Sequence, residues 1–167
     1  MKRNPAFAGT KRKDLAVSQK QKYKQMKINE IENQIVEEFE SFDDWMDKYN
    51  YLIEMGKSLP LIDDKYKINN NLISGCQSKV WLHASFENGN VIFTADSDAI
   101  ITKGIINLLI RIFSNQPPDG IINAELNFID EIGLQEHLSP TRSNGLLSMI
   151  KQMKLYALVF KTKMQNQ

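Results

Sequence analysis

Cysteine is the scarcest reactive residue type in this chain, since Cys76 is the only one among 167 residues. A single thiol cannot close an internal disulfide, and it cannot supply the several thiolates that hold an iron–sulfur cluster or a structural zinc ion. Histidine is almost as scarce, and His83 and His137 show no metal-ligand spacing. The sequence therefore predicts no metal site. Any chemistry at Cys76 uses one thiol, as a nucleophile or a sulfur carrier.

The sequence also lacks a long apolar run. No segment approaches the roughly 20 apolar residues of a membrane helix, and the most apolar segment, 100–113, is interrupted by polar and charged residues. The N-terminus has no apolar stretch of the kind found in secretory signals. These absences predict a protein that has no membrane partner and lies in the cytoplasm, where a free thiol stays reduced.

Acidic residues are scarce at the N-terminus, where residues 1–27 carry nine Lys/Arg and only Asp14, a net charge of +8. Because the whole chain carries +1, residues 28–167 carry −7. This acidic body argues against nucleic acid as the main partner. The composition predicts a basic, disordered extension at 1–27 and a single domain at 28–167. Two alternatives for residues 1–27 stay open. The tail could contact nucleic acid or acidic surfaces, or the biological start could be Met26.

Apolar residues that recur with a period near 3.6 predict four helices. The predicted helices span 28–40, 42–58, 98–114 and 140–163. Ser41 is the predicted N-cap of the second helix, which Gly56 and Pro60 end. Ser139 and Pro140 supply the N-cap and the first-turn proline of the last helix.

Alternation with a period of two predicts strands at 80–86 and 91–95, joined by the turn Glu87-Asn88-Gly89-Asn90. A short third strand is predicted near 123–128. Strands that cluster in mid-chain with helices around them indicate an α+β domain. In such a domain a small antiparallel sheet, here of about three strands, packs against helices on one face.

Cys76 lies between Gly75 and Gln77 on the loop before the first predicted strand. Free cysteines in soluble domains are usually buried and behave as small hydrophobic residues. This segment lacks the apolar neighbours of a core segment, and a polar loop at the mouth of a strand suits a reactive thiol. From the local sequence, a structural cysteine and a reactive cysteine both stay open.

Three segments, in order along the chain, resemble a known family. They are Gly75-Cys76-Gln77-Ser78-Lys79-Val80-Trp81, then Asp96-Ser97-Asp98-Ala99 with Lys103-Gly104, and then His137-Leu138-Ser139-Pro140-Thr141-Arg142-Ser143-Asn144-Gly145-Leu146. The family is SufE, the Fe–S metabolism associated domain, whose members accept sulfur from cysteine desulfurases in iron–sulfur cluster assembly. The resemblance covers about 30–162 and implies a SufE/IscU-like fold.

The resemblance implies a sulfur relay and not an independent enzyme. A pyridoxal-phosphate-dependent cysteine desulfurase, SufS-like or CsdA-like, presents a persulfide, and Cys76 carries its sulfur to a SufB-type scaffold complex. The pyridoxal phosphate belongs to the desulfurase, so no cofactor is expected on this chain. The sequence does not choose between the two desulfurases, and a homodimer stays open.

The resemblance also implies supporting roles for Asp98, near the active cysteine or at the partner surface, and for Arg142, which corresponds to a family arginine linked to function. For Asp98, helix capping is the alternative. Arg142 is predicted in the first turn of a helix, where the dipole disfavours a cation, which suggests a carboxylate partner or a role beside the thiol. A solvated surface arginine is the alternative. Because only the thiolate attacks, a nearby cation would help, and Lys79 and Arg142 are the candidates.

A second class of function is a thiol-dependent transferase or hydrolase that uses Cys76 with His83. Such an enzyme needs a base and an orienting third group, and nothing in the sequence places His83 against the thiol. Trp81 is interpreted as a packing aromatic, with a place beside the cysteine loop and the partner surface as the alternative.

Overall fold

The computed structural model describes residues 26–167. Residues 1–25 of the predicted basic extension therefore lie outside the described residues. The helices are α1 (Ile28–Glu40), α2 (Trp45–Gly56), α3 (Ile100–Phe113), α4 (Pro118–Ile122), α5 (Phe128–Glu131), α6 (Leu134–His137) and α7 (Pro140–Gln165). The strands are β1 (Val80–Glu87) and β2 (Asn90–Ser97), and 3₁₀ turns lie at Asp64–Tyr66 and Asn69–Asn71. Within 26–167, no helix has the length and apolar character needed to cross a membrane.

The first helix has the predicted bounds, whereas α2 begins at residue 45 and not at 42. Its N-cap is Asp44, whose carboxylate accepts a hydrogen bond from the Asp47 backbone amide at 2.9 Å. The prediction of Ser41 as the cap is wrong. Ser41 ends α1 with a helical backbone (φ −69°, ψ −12°), and an N-cap needs an extended one. Its hydroxyl donates instead to the Glu38 carbonyl oxygen.

The predicted antiparallel hairpin is confirmed, with Val80 opposite Ser97 and Glu87 opposite Asn90. The predicted third strand near 123–128 is wrong. Pro118 starts the short helix α4 just before it, and Leu126 has a left-handed backbone (φ 58°) that interrupts extended structure. Among the described residues the sheet therefore has two strands, although the α+β class is confirmed.

Helix α3 forms the centre of the core. Eleven of its 14 residues are buried, and accordingly it contacts α1, α2, α7 and strand β2. Helix α2 crosses it at very short range, because a Cβ atom at Gly104 would overlap the Leu52 carbonyl oxygen. The first turns of α3 lie beside the loop that carries Cys76.

The last helix begins where the sequence predicts it. The Ser139 hydroxyl oxygen accepts a hydrogen bond from the Arg142 backbone amide at 3.4 Å, and Pro140 occupies the first turn. Helix α7 continues to Gln165, two residues past the predicted end at 163, and packs against α3 and α4. Its first turns and those of α3 meet around Cys76.

Candidate functional site

Cys76 lies on a tight loop, residues 74–79, which we call the cysteine loop. One end is fixed where the Ile73 backbone amide donates to the Val80 carbonyl oxygen at 2.9 Å. Gly75 turns the chain with a φ of 88°, a conformation that favours glycine. A Cβ atom at Gly75 would also lie only 2.6 Å from the Ser148 hydroxyl oxygen on α7. The glycine therefore allows both the turn and the close approach of the loop to α7.

The thiol faces the backbone of α7. Its Sγ donates a long hydrogen bond to the Gly145 carbonyl oxygen at 3.7 Å, and Cys76 is half-buried. Gly145 lacks a side chain, so the loop approaches α7 closely: a Cβ atom there would lie 3.5 Å from Sγ. Burial raises the pKa of the Cys76 thiol above its usual value and so favours the neutral thiol over the thiolate.

A small cavity lies beside the thiol, with a volume of about 20 Å³. It is lined by Cys76, Gln77, Ser78, Thr102, Ile105, Thr141, Arg142, Gly145 and Met149. A water molecule needs roughly 10–15 Å³ of such volume. The cavity is therefore comparable in size with one additional heavy atom next to Sγ.

Asp98 holds the far end of the cysteine loop. Its Oδ1 accepts a hydrogen bond from the Lys79 backbone amide at 3.0 Å, and its own amide donates to the Lys79 carbonyl oxygen at 3.3 Å. The alternative of Asp98 as a helix cap is wrong, because the N-cap of α3 is Ala99 and no side chain caps it. Asp98 thus contacts the end of the cysteine loop and is not among the residues that line the cavity.

The two candidate cations differ in position. Arg142 lies in the first turn of α7, where its exposed side chain is among the residues that line the thiol cavity. Its Nη1 donates weakly to the Tyr49 hydroxyl oxygen at 3.5 Å, and within residues 26–167 it has no carboxylate partner. Lys79 is exposed and is absent from the cavity lining, and its backbone amide donates to Asp98.

Two residues that contact the cysteine loop were not predicted from the sequence. Gly145 provides both the acceptor and the open space at the thiol, and an isolated glycine inside a predicted helix was the available signal. Thr141 donates a hydrogen bond to the Gln77 side-chain oxygen at 3.2 Å and so ties the loop to α7. No local pattern marks that contact, because the two residues are 64 positions apart.

Comparison with known proteins decides the family. The model of the SufE family, described as an Fe–S metabolism associated domain, matches residues 33–157. The chain belongs to the SufE family. The resemblance drawn from the three sequence segments is thereby confirmed, over nearly the range from which it was drawn.

Curated relatives of this SufE-family chain agree with the match. SufE-like protein 1 of Arabidopsis thaliana, described as chloroplastic/mitochondrial, is 40% identical over 131 residues, which are 78% of this chain and 35% of that protein. An uncharacterized SufE-like protein of Rhizobium etli is 39% identical over 132 residues, 76% of this chain and 89% of the relative. This chain therefore spans about a third of the plant protein's length and most of the bacterial one's.

A solved structure has the same fold. The solution structure of a hypothetical protein from Thermus thermophilus superposes with a TM-score of 0.67 at 21% identity. The alignment covers 79% of this chain and 96% of the other. At that identity the likeness concerns the fold alone.

The histidines and Trp81 of this SufE-family chain lie away from the thiol cavity. His83 stacks on Tyr66 with ring centroids 3.7 Å apart, and His137 stacks on Trp45 at 4.2 Å. Trp81 is half-buried in β1, with the Lys67 ammonium over its ring at 5.7 Å, which fits the packing interpretation. The described residues around Cys76 thus include no histidine that could serve as a base for a thiol hydrolase.

Within 26–167, no group of three or more His, Cys, Asp or Glu side chains is arranged to hold a metal ion.

Proposed function

We propose that this SufE-family protein accepts sulfur on Cys76 from the persulfide of a cysteine desulfurase and delivers it to a SufB-type scaffold for iron–sulfur cluster assembly. Family membership supports the role in Fe–S metabolism. The observation that carries the finer proposal is that the chain's only thiol lies on a held loop, beside a cavity of about 20 Å³. The pyridoxal phosphate remains on the desulfurase. A reducing compartment such as the cytoplasm keeps the thiol available.

The transfer needs neither an oxidant nor a reductant. The Cys76 thiolate attacks the terminal sulfur of the donor persulfide, so that a new S–S bond forms and the S–S bond within the donor breaks. The donor cysteine leaves as a thiolate with the electron pair of the broken bond. It takes up the proton that Cys76 released, and Cys76 carries the added sulfur as a persulfide.

The resting geometry lowers the reactivity of the thiol before the donor arrives. The thiol is half-buried, its pKa is raised by burial, and its Sγ bonds to the Gly145 carbonyl oxygen. Attack therefore requires that the cysteine loop presents Sγ and that the thiolate forms. Arg142 lines the cavity, and its positive charge would favour the thiolate over the thiol if donor binding brought the guanidinium close to Sγ.

After transfer, the same cavity shelters the product. Its volume of about 20 Å³ is of the order that one added heavy atom requires. A persulfide enclosed there is less accessible to thiols and oxidants in solution, because access is one of the factors that control exchange. The site is therefore suited to carrying sulfur and not to turning over a small substrate.

Intact mass measurement tests the proposal. The protein is mixed with a cysteine desulfurase and free cysteine and measured without reductant; we expect a gain of about 32 Da for one sulfur, as a persulfide cap adds. Cys76→Ser should lose the gain. His83→Ala is the matched control and should keep it, because the His83 ring stacks on Tyr66 and is absent from the cavity lining. Sulfur on the Cys76→Ser protein, or loss in His83→Ala, contradicts the proposal.

A further inference from the structure

Three large apolar side chains of the described residues are more exposed than all others, and two of them line one groove. Met46 and Ile100 are each 66% exposed and Leu61 is 63% exposed, whereas the next, Leu147, is 50% exposed. Leu61 and Ile100 line a groove of about 280 Å³. We call it the apolar groove; it is lined by Ile53, Gly56, Lys57, Leu61, Ile100 and Lys103. Apolar surface of this kind marks interaction sites on soluble proteins.

The apolar groove continues the surface of the thiol site. Met46, Tyr49 and Ile53 are spaced three and four residues apart on α2 and so share one face of the helix. The Tyr49 hydroxyl lies 3.5 Å from Arg142, which lines the thiol cavity, and Ile53 lines the groove. On the other side, Ile100 follows Asp98, the residue that holds the cysteine loop, by two positions. One surface thus runs from the thiol cavity to the groove.

Charge restricts what the groove can bind. Lys57 and Lys103 stand at its rim, although residues 28–167 as a whole carry a net charge of −7. Among the described residues, Lys57 pairs with Glu54 at 2.6 Å, and both side chains are about two-thirds exposed; such pairs contribute little. Lys103 contacts the Asp96 carboxylate at 3.4 Å but shares it with Lys67, so one carboxylate faces two ammonium groups and positive charge remains at the groove. A second copy of the chain seated on the same patch would place lysines against lysines, which is unfavourable. The complementary occupant is an apolar side chain flanked by a carboxylate.

We propose that the apolar groove is a docking site for the sulfur-donating protein, which inserts an apolar side chain flanked by an acidic one while its persulfide reaches Cys76. The inference rests on the proposed function and adds the surface that selects the donor. Docking at a separate groove stabilises the encounter without contact at the reacting sulfur. The groove is therefore expected to determine the concentration at which half of the donor is bound. It should not change the rate of sulfur transfer within the complex.

Two charge substitutions test the groove. Ile100→Glu and Leu61→Glu change side chains that are already mostly exposed, and a carboxylate at the first position of α3 is favoured by the helix dipole. The matched control is Leu158→Glu, at a 48% exposed leucine on α7. Each variant is made with and without Cys76→Ser, so that binding to the purified desulfurase is measured by calorimetry apart from sulfur transfer. Thermal unfolding is recorded for all of them.

We expect Ile100→Glu and Leu61→Glu to raise the dissociation constant for the desulfurase at least about tenfold. The melting temperature should stay unchanged, and Leu158→Glu should bind as the unmutated chain does. Equal affinity of the groove variants and the control overturns the docking proposal. Self-association that Leu61→Glu abolishes, seen by sedimentation, also overturns it in favour of a second copy. Tight binding without sulfur on Cys76 would count against the proposed function and leave the docking surface standing.

Discussion

The Asp98 carboxylate holds the end of the cysteine loop, because its Oδ1 accepts a hydrogen bond from the Lys79 backbone amide at 3.0 Å. The loop that carries the thiol is thus bonded to a residue 22 positions from Cys76 that does not line the thiol cavity. Asp98 is exposed, and a bond of this kind to a charged acceptor is worth roughly 1.5–3 kcal/mol at most, less where water competes. The bond is therefore better suited to ordering the loop than to stabilising the fold.

Asp98→Ala should loosen the cysteine loop. We expect faster hydrogen exchange at the Lys79 amide and faster alkylation of Cys76 by iodoacetamide, with a loss of unfolding free energy of no more than about 1.5 kcal/mol. Asp98→Asn is the control, because its side-chain oxygen can still accept the bond. Unchanged exchange at Lys79 in Asp98→Ala would show that the backbone pairing alone holds the loop.

Gly145→Ala should separate stability from sulfur carriage. Alanine inside a helix is favoured over glycine by about 1 kcal/mol, and the new Cβ would lie at an ordinary contact distance of 3.5 Å from Sγ. Urea unfolding should therefore show equal or higher stability. Persulfide loading should fall several-fold, because the methyl group fills space beside the thiol. Full loading by Gly145→Ala would mean that the persulfide does not occupy this cavity.

Gly75→Ala should destabilise the loop for two separable reasons. The φ of 88° is strained for alanine, and the new Cβ would lie 2.6 Å from the Ser148 hydroxyl oxygen. We expect a loss of about 1 kcal/mol or more in unfolding free energy. The double variant with Ser148→Ala should recover the unfolding free energy that is lost through the close contact. It should not recover the unfolding free energy that is lost through the strained φ. Recovery of full stability would show that the backbone strain is negligible.

Arg142→Ala should lower sulfur transfer much more than stability. The side chain is exposed and its contact to Tyr49 is long, so the unfolding free energy should change by no more than about 0.5 kcal/mol. Desulfurase stimulation should fall, because a positive charge is lost from the thiol cavity. Arg142→Lys keeps the charge and should retain part of the activity. Transfer at the unmutated rate in Arg142→Ala would return this residue to an ordinary surface position.

Alkylation of Cys76 should accelerate with pH through a midpoint above about 8.5, the ordinary value for cysteine. Burial raises the pKa of this thiol, so less thiolate is present near neutral pH than for an exposed cysteine. By linkage, the stability that the neutral thiol contributes is complete below the unfolded pKa and is lost as pH rises through the folded one. Iodoacetamide rates in buffer and in urea check this, since Cys76 is the only cysteine. A midpoint below about 8.5 in buffer would mean that Arg142 outweighs burial.

Local sequence patterns predicted much of the architecture. The 3.6-residue period placed α1 at its observed bounds, and the Ser139-Pro140 pair placed the start of α7. The two-residue period and the Asn88-Gly89 turn placed the hairpin. Local rules failed where two signals competed. Ser41 and Asp44 are both acceptable caps, and the helical backbone of Ser41 at the end of α1 decided between them.

The sequence by itself determined the family and made the lone thiol the candidate sulfur carrier, because the motif around Cys76 and the absence of other cysteines are properties of the chain alone. Only the tertiary structure decided how that thiol is held. The Gly145 carbonyl lies 69 residues from Cys76, and the groove joins residues from α2, Leu61 and the start of α3. Such juxtapositions arise from the packing of α2 and α7 on α3, and no short-range periodicity records them.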